Sequence, residues 1–199
     1  MNERPAVANS GGTGRWRRFV VPLAVVAAVG AFALVSLRGG DADPEPVAIE
    51  AAGSRFDTIA EMTVASDLVV EGVIVSADDG RRITDPADPE AGLVTRLYQL
   101  EIREVFRGDD LEFALVEQED TLLDGTPIVV NGLTPHQVGD AGFWFLVLGD
   151  SEEFPFSAVV NEQGRLLLSA ADTIQTPLID GIVDADELRE ALRTNARSG

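Results

Sequence analysis

Between Phe19 and Leu37 the chain runs for nineteen residues without a charge, and that stretch decides which solvent each half of the protein meets. Eleven of the nineteen are Val, Leu or Phe and five are Ala, with Pro22, Gly30 and Ser36 completing the run. At ~1.5 Å rise per residue a helix of this length spans ~28 Å, close to the hydrocarbon thickness of a bilayer. Each strongly apolar side chain favours insertion by about 0.3–0.6 kcal/mol, so eleven of them favour the membrane by several kcal/mol. Arg15, Arg17 and Arg18 crowd the N-terminal flank, whereas Arg38 stands alone before a run of acids. Positive flanks stay inside. The expected order is therefore a basic cytoplasmic tail (1–18), a transmembrane helix (19–37) and an extracytoplasmic remainder. The competing reading is a cleaved export signal with Ala31-Phe32-Ala33 as its site. Such signals carry an apolar core of only about 7–15 residues, so an uncleaved anchor is the expectation.

Past the anchor the charge changes sign. Residues 38–199 hold eleven Arg, no Lys and thirty-three acids, a net charge of −22. A surface so acidic repels phosphate backbones and anionic headgroups, which excludes nucleic acid as a partner. There is no cysteine, so an exported domain here has no disulfide staples and depends on its core. "RGGDADPEPVAIEAAG", residues 38–53, has paired glycines, acids and two prolines, the composition of a disordered acidic linker.

Residues 54–175 read as one β domain. Ser54, with Asp57 three residues on, resembles a capping box for a short helix. "SDLVVEGVIVSADDG" predicts a strand ended by turn chemistry at Asp78-Asp79-Gly80, and 81–93, with two Asp-Pro pairs, an exposed loop. "TRLYQLEIREVFRGDD" alternates Tyr98, Leu100 and Ile102 with polar residues and turns at Gly108. "LEFALVEQ" suggests Leu111, Phe113 and Leu115 pointing inward, and "TPIVVN" a further short strand. "GFWFLVLG", six bulky apolar residues between glycines, predicts a central strand covered on both faces. "FSAVVNEQGRLLLS" predicts a hairpin with Gly164 at positive φ. Residues 176–199 close the chain with a helix capped by Asp184 and Glu187, its buried stripe formed by Leu188, Ala191 and Leu192. The expected fold is mainly β: a small antiparallel OB-like barrel of five or six strands, one helix before it and one after.

The succession "SDLVVEGVIV", "YQLEIREVFRG", "VGDAGFWFLVLG", "FSAVVNEQGRLLLS" resembles exported bacterial domains related to the tissue-inhibitor-of-metalloproteinase and netrin-like OB-fold group, over roughly residues 55–170. The resemblance implies an OB fold standing outside a membrane and used for binding rather than catalysis. Two departures limit what carries over. The eukaryotic inhibitors act through an N-terminal cysteine that this chain lacks. The oligonucleotide binding common among OB folds conflicts with the net charge of −22.

Few residues offer chemistry. His136 is the only histidine, near Asp140, with no nucleophile elbow to complete a triad. Its expected place is the loop before the central strand. One His and no Cys supply no set of N or S ligands for zinc, copper or iron–sulfur. "DGIVDADE" has the back half of an EF-hand loop (Asp180, Gly181, Val183, Asp184, Glu187), but Thr176 and Leu178 stand where the first carboxylates belong. Asp85, Asp88 and Glu90 give the 81–93 loop some acidity without a metal motif. No catalytic, cofactor or metal residue is therefore expected. The reading is a non-catalytic binding domain at the cell envelope, tethered to the membrane through 19–37, that meets an envelope protein or ligand through its barrel face or the 81–93 loop. The alternatives are an exported hydrolase, or a modulator of one, using carboxylates such as Asp140 or Glu117, and a secreted form cut near Ala33.

Overall fold

The computed structural model describes residues 45–50, 55–149, 155–175 and 184–198. The basic tail 1–18, the apolar segment 19–37 and most of the tether lie outside the described residues, as does the half EF-hand from Thr176 to Val183. Among the described residues no helix is long and apolar enough to cross a membrane. The elements run β1 (Val47–Ile49), α1 (Ile59–Ala65), β2 (Leu68–Asp85), β3 (Asp88–Arg107), β4 (Phe113–Leu122), β5 (Ile128–Val130), β6 (Ala141–Val147), β7 (Ala158–Val159), β8 (Arg165–Leu167) and α2 (Ala185–Ser198). As expected, the chain is mainly β, with one helix before the main sheet and one at the end. The tether is not wholly free, because its Val47–Ile49 pairs in parallel with β5.

Both helices start on side-chain caps. The first box sits one turn later than Ser54 and Asp57 suggest: Thr58 accepts the Glu61 N–H at 3.2 Å, and Glu61 accepts the Asp57 N–H at 3.0 Å. Glu at that position reaches back where Asp is too short. At α2 the Asp184 carboxylate accepts the N–H groups of Asp186 and Glu187 at 2.9 and 3.0 Å, the expected cap.

Six antiparallel strands form the main sheet, in the order β4-β3-β2-β6-β7 with β8 also on β6. The predicted turn at Asp78-Asp79-Gly80 and the loop 81–93 are instead a β-ribbon, in which β2 continues to Asp85 against β3. Gly80 marks a register shift, not a reversal. Its Cα lies so close to Thr95 that a Cβ would sit 2.7 Å from the Thr95 carbonyl oxygen. The chain reverses beyond Asp85, whose carboxylate accepts the Ala87 N–H at 2.8 Å. Gly108, with φ +99°, makes the expected turn after β3.

β4 faces opposite to expectation. Its register sets Ala114 against Leu100 and Val116 against Tyr98, so Ala114 and Val116 point inward. Phe113 and Leu115 stay 46% and 44% exposed. The interior at this level already holds Trp144 and Tyr98, which leaves space for small side chains only.

β6 behaves as its sequence predicts. Phe143 and Phe145 enter one core, with Ile59, Met62, Val69, Phe106, Leu188 and Leu192, while Trp144 and Leu146 enter a second, with Leu68, Val70, Ile74, Tyr98, Leu100 and Val116. Helices cover the first core; the sheet curls around the second. The predicted hairpin over 156–169 does not form. β7 and β8 run in the same direction along one edge of β6, separated by an excursion through Asn161–Gly164. Gly164 is not at positive φ; a Cβ there would lie 2.7 Å from Val159 and 2.8 Å from Val160.

The barrel does not close. Its two edges touch at one bridge, Val116 to Ser157, where the Glu117 N–H donates to the Ser157 carbonyl at 2.7 Å and the Ser157 N–H to the Leu115 carbonyl at 3.0 Å. β7 is only two residues long, and Pro155 has no N–H with which to extend the seam.

Candidate functional site

The loop between β5 and β6 gathers the polar groups. Asn131 and Gly132, both at positive φ, turn the chain back over the open end of the curl. Asp140 then accepts the Gln137 N–H at 2.9 Å and tightens the approach to β6. This geometry drives His136 inward, to 4% exposure. Its backbone N–H donates to Gln118 Oε1 at 3.0 Å, and Gln118 Nε2 donates to the Thr134 carbonyl at 3.3 Å. Gln118 reaches that position only because β4 turns its even-numbered residues inward.

Arg165, at the start of β8, completes the cluster. Its Nη1 donates to His136 Nδ1 at 2.6 Å, its Nη2 to Thr134 Oγ1 at 3.0 Å, and Asp140 lies 4.0 Å away. A guanidinium only donates, so Nδ1 is the acceptor and the ring hydrogen resides on Nε2. That nitrogen is buried and has no hydrogen-bond partner among the described residues. The ring meets Tyr98 and Trp144 edge-on, with centroids 4.9 and 5.1 Å away.

Burial, and next the charge of Arg165, push the His136 pKa down to about 3. Burial likewise lowers Arg165, partly offset by Asp140, and raises Tyr98. His136 therefore stays neutral across the physiological range, with one nitrogen held by Arg165 and the other enclosed. It ties the loop before β6 to Arg165 of β8 and to Gln118 of β4.

The other carboxylate of interest is equally engaged. Glu117 receives both Arg81 Nε and Nη2, at 2.7 and 2.6 Å, and the Thr95 hydroxyl at 2.8 Å. Asp140 and Glu117 thus occupy separate clusters, and each faces an arginine. Asp85 and Asp88 fix the ribbon turn through the N–H groups of Ala87 and Glu90. Among the described residues no three His, Cys, Asp or Glu side chains are placed to hold a metal ion.

A different feature faces solvent. The outward row of β4, Phe113 and Leu115, is extended by Leu111 just before the strand and leaves three large apolar side chains partly exposed. An open groove of about 350 Å³ is lined by Leu111 and Phe113 together with residues 101–105, Asp110 and Glu112. Sequence reasoning found the apolar residues but placed them inside. It missed Gln118 and Arg165 altogether, although an arginine opening the apolar "RLLL" was a usable signal.

Comparison of the chain with models of known protein families, and with curated proteins, gives no match.

Proposed function

We propose that this chain is a single-pass envelope protein holding a non-catalytic, OB-like β module outside the membrane, where it binds a protein or ligand through the outward face of β4. The observation that carries the reading is the parity of β4, with Phe113 and Leu115 in water while Ala114 and Val116 fill the interior. Full burial of an exposed side chain of this kind is worth about 1.5–3 kcal/mol; with Phe113 and Leu115 46% and 44% exposed, a partner covering the row recovers roughly half of that per side chain. The state of His136 supports binding over hydrolysis at this residue, since a general base needs a reachable lone pair and its Nδ1 is taken by Arg165 while Nε2 is buried. The anchoring and its direction rest on the apolar run 19–37 and the arginines before it.

A photoreactive amino acid at Leu115, with the full chain in its own membrane, tests the surface. Adducts are expected from position 115 and not from Val64, an equally apolar and more exposed site on α1. Adducts from both or neither count against the β4 face. Single cysteines at Ser10 and at Ala48, probed on intact cells with an impermeant maleimide, test the topology. Labelling at Ala48 alone, on full-length membrane protein, is expected; labelling at Ser10 reverses the orientation, and a soluble form trimmed near Ala33 makes the module a secreted one.

A further inference from the structure

The groove beside β4 has a chemical character more specific than exposed apolar surface. Its lining offers the apolar Leu111 and Phe113 and the acids Glu101, Asp110 and Glu112, none of these three with an ion-pair partner among the described residues. Glu104, also on the wall, is neutralised by Arg193 from α2 at 2.8 Å, and Arg103 is the one cation in the lining. We propose that this groove takes a cationic, apolar segment of a partner protein, with apolar side chains on Phe113 and Leu111 and Arg or Lys side chains among Glu101, Asp110 and Glu112. The proposal rests on the β4 face being the binding surface and adds what binds there.

Charge excludes the other occupants. A second copy presents another domain of net charge −22 over residues 38–199 and the same acidic groove, and polyanions such as nucleic acid or an acidic lipid surface meet the same repulsion. A neutral apolar segment gains the burial but leaves three carboxylates without counter-charges at the rim. A basic segment gains both, and rim charges of this kind act mainly on encounter rate and salt dependence.

The chain has no cysteine, so Asp109→Cys supplies a single site for an environment-sensitive dye next to the groove. The full-length protein, in nanodiscs of zwitterionic lipid, is titrated with the peptide Arg-Leu-Arg-Phe-Arg-Leu-Arg and with versions carrying Glu or Gln in place of Arg. The Arg peptide is expected to bind saturably and to weaken with salt, and the Glu peptide not to bind. Phe113→Ser, at an exposed site that leaves the melting curve in place, is expected to weaken binding about tenfold. The pair Glu101→Gln and Glu112→Gln is expected to weaken it about threefold to tenfold and to flatten the salt dependence. Glu90→Gln, at the far end of the β2–β3 ribbon, separates the groove from diffuse attraction and is expected to change nothing. Equal binding of the Gln and Arg peptides overturns the cationic assignment and leaves the binding face standing. So does a dye response to protein concentration alone, which assigns the groove to a second copy. Absence of any saturable binding overturns the proposal; absence of crosslinks from Leu115 as well removes the face itself.

Discussion

His136 accepts a hydrogen bond from a guanidinium at one nitrogen and buries the other, so protonating it sets a second cation against Arg165 in an enclosed site. Its pKa falls from 6.5 in the unfolded chain to about 3 in the folded one. Between these values the unfolded state binds more protons. The stabilisation is therefore complete above pH ~6.5, declines as pH falls through the window and is gone below pH ~3. Each tenfold difference in proton affinity between the two states is worth about 1.4 kcal/mol, which makes its full size roughly 4–5 kcal/mol. Denaturant unfolding of the wild type and of His136→Gln, compared from pH 7 to pH 4, is expected to show the difference shrinking by up to about 1.4 kcal/mol per pH unit. The ring proton signals of this single histidine should also stay flat from pH 8 to pH 4.5; a midpoint near 6.5 means a solvent-exposed ring. Nothing in "LTPHQVGD" announces such burial. It arises from long-range register, which brings Gln118, Arg165 and Trp144 around the loop, and single-residue patterns do not contain it.

Strands, helices and caps were legible where one local interaction decides them, and illegible where turn chemistry serves two purposes. Four of the six residues in the apolar run, Phe143 to Leu146, enter the two cores in alternation, while Leu148 lies past the end of β6 and is 42% exposed. Asp78-Asp79-Gly80 has the composition of a turn, yet Gly80 is there because Thr95 leaves no room for a Cβ. For β4, alternation fixed the period but not which set faces inward, because a strand with two apolar faces has no preferred parity. The docking of α2 adds a feature that no stripe of leucines reveals. Arg189 grips Glu71 of β2 with two bonds of 2.8 Å and also meets Asp172 and Asp186, which holds its pKa well above the usual arginine value. Glu71 is buried beneath the helix, so removing Arg189 strands its charge. Arg189→Leu is expected to destabilise the fold by about 3–5 kcal/mol in thermal or denaturant unfolding, and Glu71→Leu added to it to restore most of the loss. If the double variant is as unstable as the single one, Leu packing and not the ion pair holds α2.

The open seam gives the molecule a gradient of stability. On one side of the curl β2 is bonded to both β3 and β6 and lies between two cores. On the other, the Val116–Ser157 contact depends on two hydrogen bonds and a two-residue strand. Opening the seam breaks two hydrogen bonds and uncovers one side of the second core at Val116, whereas parting β2 from β6 breaks a six-residue ladder and both cores, so the two events differ in free energy. The His136–Arg165 cluster lies between them, tying the loop before β6 to β8 and to Gln118 of β4. It braces the mouth that the seam leaves unzipped. Native-state hydrogen exchange should separate these regions: the Glu117 and Ser157 amides are expected to exchange through local opening, at least about 100-fold faster than the Val70 and Trp144 amides, which wait for global unfolding. In His136→Gln the seam amides should accelerate further while the β2–β6 amides follow only the change in global stability. Equal protection at the seam and at the centre would mean that the sheet closes cooperatively into a barrel, and that the β4 face, proposed as the binding surface, belongs to a rigid wall instead of a movable edge.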